Sequence, residues 1–129
     1  MKTTIRWIGE VGFQADSDSG HSVIMDGAPE SGGQNRGPRP MELVLMGMGG
    51  CTAFDVVHIL RKSRVDVRDC VAHIEAQRAP TDPKVFTHIH VHFVVAGHGL
   101  KTAQVARAIE LSAEKYCSAS IMLAKTAAM

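Results

Sequence analysis

Neither sign of charge dominates this sequence: 14 Lys and Arg stand against 13 Asp and Glu, a formal net charge of +1 over 129 residues. That balance excludes a phosphate-binding surface built on bulk charge, so nucleic acid is not an expected partner. The opening stretch, MKTTIRWIGE, has no apolar run of signal-peptide length, and nothing in it points to export. The longest apolar stretch, Met41 to Leu60, carries Glu42, Asp55 and His58, which are costly in lipid. It reads as a buried helix of a soluble, cytoplasmic protein and not as a membrane anchor. Cysteine is scarce, at three residues, an odd count that rules out a structural disulfide framework in a compartment that keeps thiols reduced. No CxxC and no paired Cys/His spacing of a zinc site occurs. A Gly-rich phosphate loop following a strand is missing as well, as is any internal repeat. These patterns call for no cofactor and no metal, which leaves the thiols as core filler or as chemistry.

What is present is a globular balance of 45% apolar and 21% charged residues, in a length that suits one domain, residues 1–129. Thr3 to Ile8, a short strand interrupted by Gly12, and His21 to Met25 read as a meander closed by Asp26-Gly27. From Ala28 to Pro40 the composition turns to Pro, Gly, Ser and Asn, with Arg36 and Arg39, the pattern of a mobile loop. Pro40 suits a first helical turn, and no proline follows through Arg64, which predicts a helix of up to about 37 Å. Its first half is apolar on all sides and must be enclosed. Gly47, Gly49 and Gly50 each weaken it by about 1 kcal/mol relative to alanine, which makes sense where another backbone approaches, at a helix crossing in a dimer interface. Val67 to Ala79 and Val85 to Ala96 then form an antiparallel hairpin around Pro80-Thr-Asp-Pro83. Lys101 to Tyr116 has helical spacing, and Ser118 opens a further helix to Lys125. Strands, buried helix, hairpin and helices in that order make an α+β plan.

The three thiols read differently. Cys70 alternates with Ala72, Ile74 and Ala76 on the apolar face of a strand and is most simply a core residue. Cys51 follows Gly49-Gly50 in the middle of the long helix, where small neighbours leave space for a ligand to reach the sulfur or mark only tight packing. Cys117 lies near a helix end, with Lys115 close enough in sequence to favour a thiolate or to be merely a solvated surface lysine. A free thiol near pKa ~8.5 is mostly protonated at neutral pH, so an active Cys51 needs a positive group nearby. Its i+4 neighbour Asp55 opposes a thiolate unless that carboxylate is paired or turned away. Glu42, nine positions before Cys51, falls on the opposite helix face and about 13 Å along the axis, so the two meet only if Glu42 comes from a second copy. Its simpler role is a first-turn carboxylate that favours the helix dipole. His88, His90 and His92 share one strand face at a spacing that metal ligands use. No carboxylate or cysteine is expected in register to complete a site, and a polar strand face explains them equally.

The run PMELVLMGMGGCTAFDVVHIL and the later SAEKYCSAS resemble the OsmC/Ohr superfamily, and more closely its YhfA-like branch, over essentially Ile5 to Lys125. The resemblance implies an OsmC-like intertwined homodimer, with central buried helices packed against antiparallel sheets and two sites at the interface. It also implies thiol-dependent reduction of organic hydroperoxides in oxidative stress. In characterised relatives the cysteine matching Cys51 attacks the hydroperoxide and becomes a sulfenic acid. That product condenses with the cysteine matching Cys117, and a dithiol reductant restores the pair, the arrangement that stops oxidation at a reversible stage. Glu42, in Pro40-Met-Glu-Leu43, matches a family glutamate that orients an arginine beside the reactive sulfur. The arginine itself departs from the family pattern: the corresponding strand, His21 to Asp26, has no basic residue except His21, leaving Arg36 or Arg39 to substitute. Relatives also usually add a last strand beyond the position of Lys125, so a shortened C-terminus is expected. Two rivals share the fold: a non-catalytic module holding a small hydrophobic ligand, and a thiol redox sensor that forms the Cys51–Cys117 bond without rapid turnover.

Overall fold

The computed structural model describes residues 1–129, in an α+β arrangement of five strands, three α-helices and two short irregular turns. Packing divides the chain into two compact units, Met1–Leu45 and Met46–Met129.

The first unit is a three-stranded antiparallel meander of β1 (Thr3–Gly9), β2 (Gly12–Ser17) and β3 (Ser22–Met25), in the order β1-β2-β3. Thr3 pairs with Ser17 and Phe13 with Met25. Gly9, at φ +108°, and Glu10, at φ +53°, make the tight reversal between β1 and β2, where a glycine takes the left-handed conformation without steric cost. Asp26 closes β3. It is 1% exposed and gathers the following loop onto one carboxylate. The amides of Gly27, Gln34 and Arg36 donate to it at 2.8, 3.3 and 3.3 Å, and the Arg36 guanidinium at 2.8 Å. The loop expected to be mobile is therefore pinned by an interior anion, and Pro29–Ser31 within it forms a 3-10 turn.

Helix α1 (Pro40–Lys62) begins in this unit and runs on into the second. Pro40 sits in its first turn, and Glu42 reaches back to accept the Arg39 amide at 2.8 Å, satisfying one of the donors that a helix start leaves unpaired. The far end stops at Arg64, which takes φ +61°, with Arg61 and Lys62 in the last turn, where cations favour the dipole. By length and composition α1 is long and apolar enough to cross a bilayer.

In the second unit β4 (Asp66–Arg78) and β5 (Phe86–His98) form a long antiparallel hairpin, and α2 (Thr102–Leu111) follows. The core is built from Val56 and Leu60 of α1 and Ala108 of α2, with Val67, Phe93 and Val95 of the hairpin packed around them. Gly49 faces inward: a Cβ there would stand 2.5 Å from Ile74 Cδ1, so this glycine allows close approach of helix and sheet within one chain. No atom comes within 4 Å of a Cβ placed at Gly47 or Gly50. The helix expected over Lys101 to Tyr116 ends early. Ser112–Tyr116 is a π-helical turn, closed by the Cys117 amide donating to the Ser112 carbonyl at 2.8 Å, and the short α3 (Ser118–Leu123) follows. Beyond α3, Ala128 makes a parallel bridge with His88 on the edge of β5.

Candidate functional site

Two segments meet within the second unit. Ser112, at the head of the π-turn and fully buried, shares a hydroxyl–hydroxyl hydrogen bond of 2.8 Å with the buried Thr52 of α1. The Ser112 hydroxyl also lies 3.1 Å from Asp55 Oδ2, and a serine O–H beside a carboxylate donates. The wider i→i+5 turn sets these bonds up: it keeps Ser112 against α1 while the chain leaves the helix at Cys117, whose backbone is extended at φ −76°, ψ 101°. Cys117 is therefore both the C-cap of the turn and the N-cap of α3. Its sulfur accepts the Ser120 amide at 3.3 Å.

The outcome is a cluster of three ligand-bearing side chains, Cys51, Asp55 and Cys117, whose sulfur and carboxylate atoms all lie within 4.8 Å of one another. Cys51 and Asp55 face the same way because they are four apart on a helix. Cys117 joins them from 66 positions beyond Cys51 because the Thr52–Ser112 bond fixes the approach. All three cysteines are free thiols. Cys117 is fully buried and Cys51 half-buried. Burial pushes the Cys117 thiol above its ordinary value; Ser120 pulls it partly back, and the neighbouring Cys51 sulfur, by hydrogen bond and charge, pushes it up again. That shift favours the neutral thiol at Cys117. Beside Asp55 a cavity of about 460 Å³ opens, lined also by His58, Ile59, Lys62, Leu111 and Tyr116.

The remaining expected residues lie elsewhere. Glu42 belongs to the first unit, where its carboxylate takes the Arg39 amide and stands 3.9 Å from the Arg39 guanidinium. Arg39 also donates to the Asn35 side chain. Arg36 is committed to Asp26. Cys70 is half-buried on β4, and desolvation, with Asp69 adding to it, pushes its thiol up, consistent with an inert packing residue. It lines a second cavity of about 650 Å³ with Gly50, Phe54, Val57, His58 and Arg61. The histidines of β5 lie on its exposed side: His92 stacks on His73 across the hairpin, with centroids 6.4 Å apart. One expectation needs correcting, since the register sets Glu75 opposite His90, and a carboxylate does stand beside the imidazole row. Asp55 figured in the sequence as an obstacle, and it is neither ion-paired nor turned away. Ser112 carried no sequence signal, because its partner Thr52 is 60 positions distant.

Comparison with known proteins gives a consistent account. Residues 32–128 match the family model described as OsmC-like protein. The chain is 50% identical to the protein YhfA of Escherichia coli K12 over 125 residues, spanning 97% of this chain and 90% of the relative. A solved structure of a hypothetical protein from Aquifex aeolicus VF5 superposes with a TM-score of 0.86 at 28% identity, over 98% of this chain and 89% of the other. An organic hydroperoxide resistance protein OsmC from Legionella pneumophila shares the fold at 19% identity, with a TM-score of 0.69 over 99% and 93% of the two chains.

Proposed function

Because this chain belongs to the OsmC-like family, we propose that it reduces organic hydroperoxides through a two-cysteine cycle. The observation that carries the reading is the proximity of the Cys51 and Cys117 sulfurs within 4.8 Å, although one lies in mid-helix and the other 66 residues on. The Cys51 thiolate attacks the hydroperoxide O–O bond; the alkoxide leaves, takes a proton and departs as the alcohol, and the sulfur becomes a sulfenic acid. The Cys117 thiol then attacks that sulfur, a disulfide forms and water leaves. An external dithiol exchanges with the disulfide and regenerates both thiols. A high Cys117 pKa supports this division of labour, because a neutral thiol beside the attacking sulfur does not compete with it for peroxide. A disulfide of about 2.05 Å needs only side-chain rotation and a small shift from such a separation.

The functional unit in this reading is a soluble cytoplasmic homodimer built from one OsmC-like domain per chain. Val44 and Met46 are 41% and 55% exposed and Phe54 68%, an apolar load that α1 cannot leave in water. A second copy covers it and brings its own Glu42 towards Cys51. Arg39, held by Glu42 and Asn35, is then the cation that offsets Asp55 and primes the Cys51 thiolate.

Steady-state consumption of cumene hydroperoxide with a dithiol tests the proposal. Cys51→Ser should abolish turnover, and Cys117→Ser should leave a single oxidation of Cys51 without cycling. Unchanged consumption by Cys51→Ser refutes the enzyme reading. The cavity beside Cys70, walled by Ala53, Phe54 and Val57, favours one alternative, a module that holds a small apolar ligand. In that case no disulfide would appear by mass spectrometry after peroxide treatment.

A further inference from the structure

We propose that the reduced site binds a zinc ion through Cys51, Asp55 and Cys117, and that zinc and the disulfide are mutually exclusive states of one pair of sulfurs. The inference rests on reading the two thiols as one site, and not on peroxide turnover.

Three ligand atoms of the types zinc takes lie within 4.8 Å of one another. Zinc–sulfur bonds of about 2.3 Å and a zinc–oxygen bond of about 2.1 Å at tetrahedral angles place the sulfurs about 3.8 Å apart. The cluster therefore needs to contract by no more than about 1 Å, within the reach of side-chain rotation. The spacing, four residues on a helix and then a jump of 62, matches none of the compact Cys/His patterns by which zinc sites are read from a sequence.

The surroundings also suit a metal. Asp55 is already oriented, because the Ser112 hydroxyl binds its Oδ2 at 3.1 Å and leaves Oδ1 for the ion. Ser112 is fixed in turn by Thr52 at 2.8 Å, an outer shell of the kind that sets the direction of a ligating carboxylate. The Ser120 amide donates to Cys117 Sγ at 3.3 Å, which supports negative charge on that sulfur once its proton has left. Two thiolates and a carboxylate leave one tetrahedral position for water, and Asp55, alone of the three, also lines a cavity open to solvent. Asp55 thereby acquires a use: the carboxylate that opposes a bare thiolate is an asset when the shared partner is a dication.

Binding moves to buffer whatever protons the two sulfurs still carry, that of Cys117 among them, and no electrons. Oxidation reverses it: hydroperoxide, two zinc-bound thiolates and two protons give alcohol, water, the disulfide and free Zn²⁺. Zinc thus lowers the nucleophilicity of the sulfurs and slows their oxidation, and oxidation ejects the ion.

The test is anaerobic titration of the reduced full-length protein with Co²⁺, then displacement by Zn²⁺ against a chromophoric chelator. One equivalent per chain is expected, with sulfur-to-cobalt charge-transfer absorption, tetrahedral visible bands and proton release. Cys70→Ser should titrate like the wild type. Cys117→Ser should lose half of the charge-transfer intensity, and Ser112→Ala should weaken zinc binding about 10- to 100-fold. Should Cys117→Ser fold poorly, wild-type protein alkylated at its thiols provides the same comparison and should show no charge-transfer band. Absence of the band in reduced wild type, or its persistence at full intensity in Cys117→Ser or in alkylated protein, overturns the assignment. Zinc binding by a protein that, freed of metal by a chelator, shows no hydroperoxide turnover refutes the peroxidase reading alone, and turnover without the cobalt band refutes the zinc site alone.

Discussion

Replacing Gly47 and Gly50 together by alanine separates the helix of an isolated chain from the helix of a dimer, because the two settings predict opposite signs. Each glycine costs an α-helix about 1 kcal/mol relative to alanine, so the double variant gains about 2 kcal/mol per chain from propensity alone. Nothing in the chain opposes that gain, since no atom lies within 4 Å of either added Cβ. Gly49 differs: its added Cβ meets Ile74 Cδ1 at 2.5 Å, and it serves as the within-chain control. Gly47, Gly50 and Phe54 lie along one stripe of α1 at spacings of three and four. If a second copy crosses α1 there, two new methyl groups enter a packed contact, at about 1–3 kcal/mol each, and the contact occurs in both copies. The dimer should then lose stability despite the propensity gain. Urea unfolding at several protein concentrations, with sedimentation velocity, measures both terms. The expected result is a lower unfolding midpoint and a shift towards monomer. An unfolding free energy raised by about 2 kcal/mol per chain with an unchanged sedimentation coefficient would refute the crossing, and with it the reason given for glycine at these two positions.

Three further outcomes are expected. Ser112→Ala removes the buried partner of Thr52 and the donor to Asp55, and should cost about 1–3 kcal/mol in chemical denaturation while slowing disulfide formation after peroxide treatment. In acid, Asp26 controls the loop after β3. The Arg36 guanidinium, opposed by burial and helped by the Gly27, Arg36 and Gln34 amides, lowers its carboxyl to about 2. Because the folded value lies below the unfolded value of about 3.9, this stabilisation is complete above pH ~4 and is lost as pH falls through about 2. Amide exchange at Gln34 and Arg36 should accelerate across that window, and in Asp26→Asn it should already be fast at neutral pH. Arg39→Ala should slow hydroperoxide reduction about 10²- to 10³-fold and move the pH profile of Cys51 alkylation upward, with Arg39→Lys restoring only part of the rate.

Much of the architecture was legible because it rests on local rules. Pro40 opening a proline-free apolar stretch predicted α1, and alternation through Cys70, Ala72, Ile74 and Ala76 predicted β4, each to within a few residues of its observed bounds. The helix expected to reach Tyr116 stops at Leu111, because the turn after it is set by a hydrogen bond to Thr52, sixty residues back, which leaves no periodic trace. The same bond explains why Ser112 escaped notice while both cysteines were named. Asp26 read as half of an Asp-Gly turn; that it is buried and collects four donors depends on where the loop returns, which dipeptide chemistry does not encode. Glu42 read as a first-turn carboxylate or as one that orients an arginine, and Asp55 as a charge opposed to a thiolate at Cys51. Arg39 is a neighbour in sequence and was within reach of inspection, whereas Ser112 was not.

A π-helical turn differs from an α-helical one by a single inserted residue, so one codon suffices to gain or lose it. Deleting a residue within Ser112–Tyr116 would preserve the apolar side of α2 and the hydrophobic core, yet rotate everything downstream by about 100° and carry the sulfur at position 117 away from α1. The scaffold would survive such an event and the proximity of the two sulfurs would not. The length of this five-residue stretch, more than its letters, therefore marks which descendants of the fold still hold two sulfurs together.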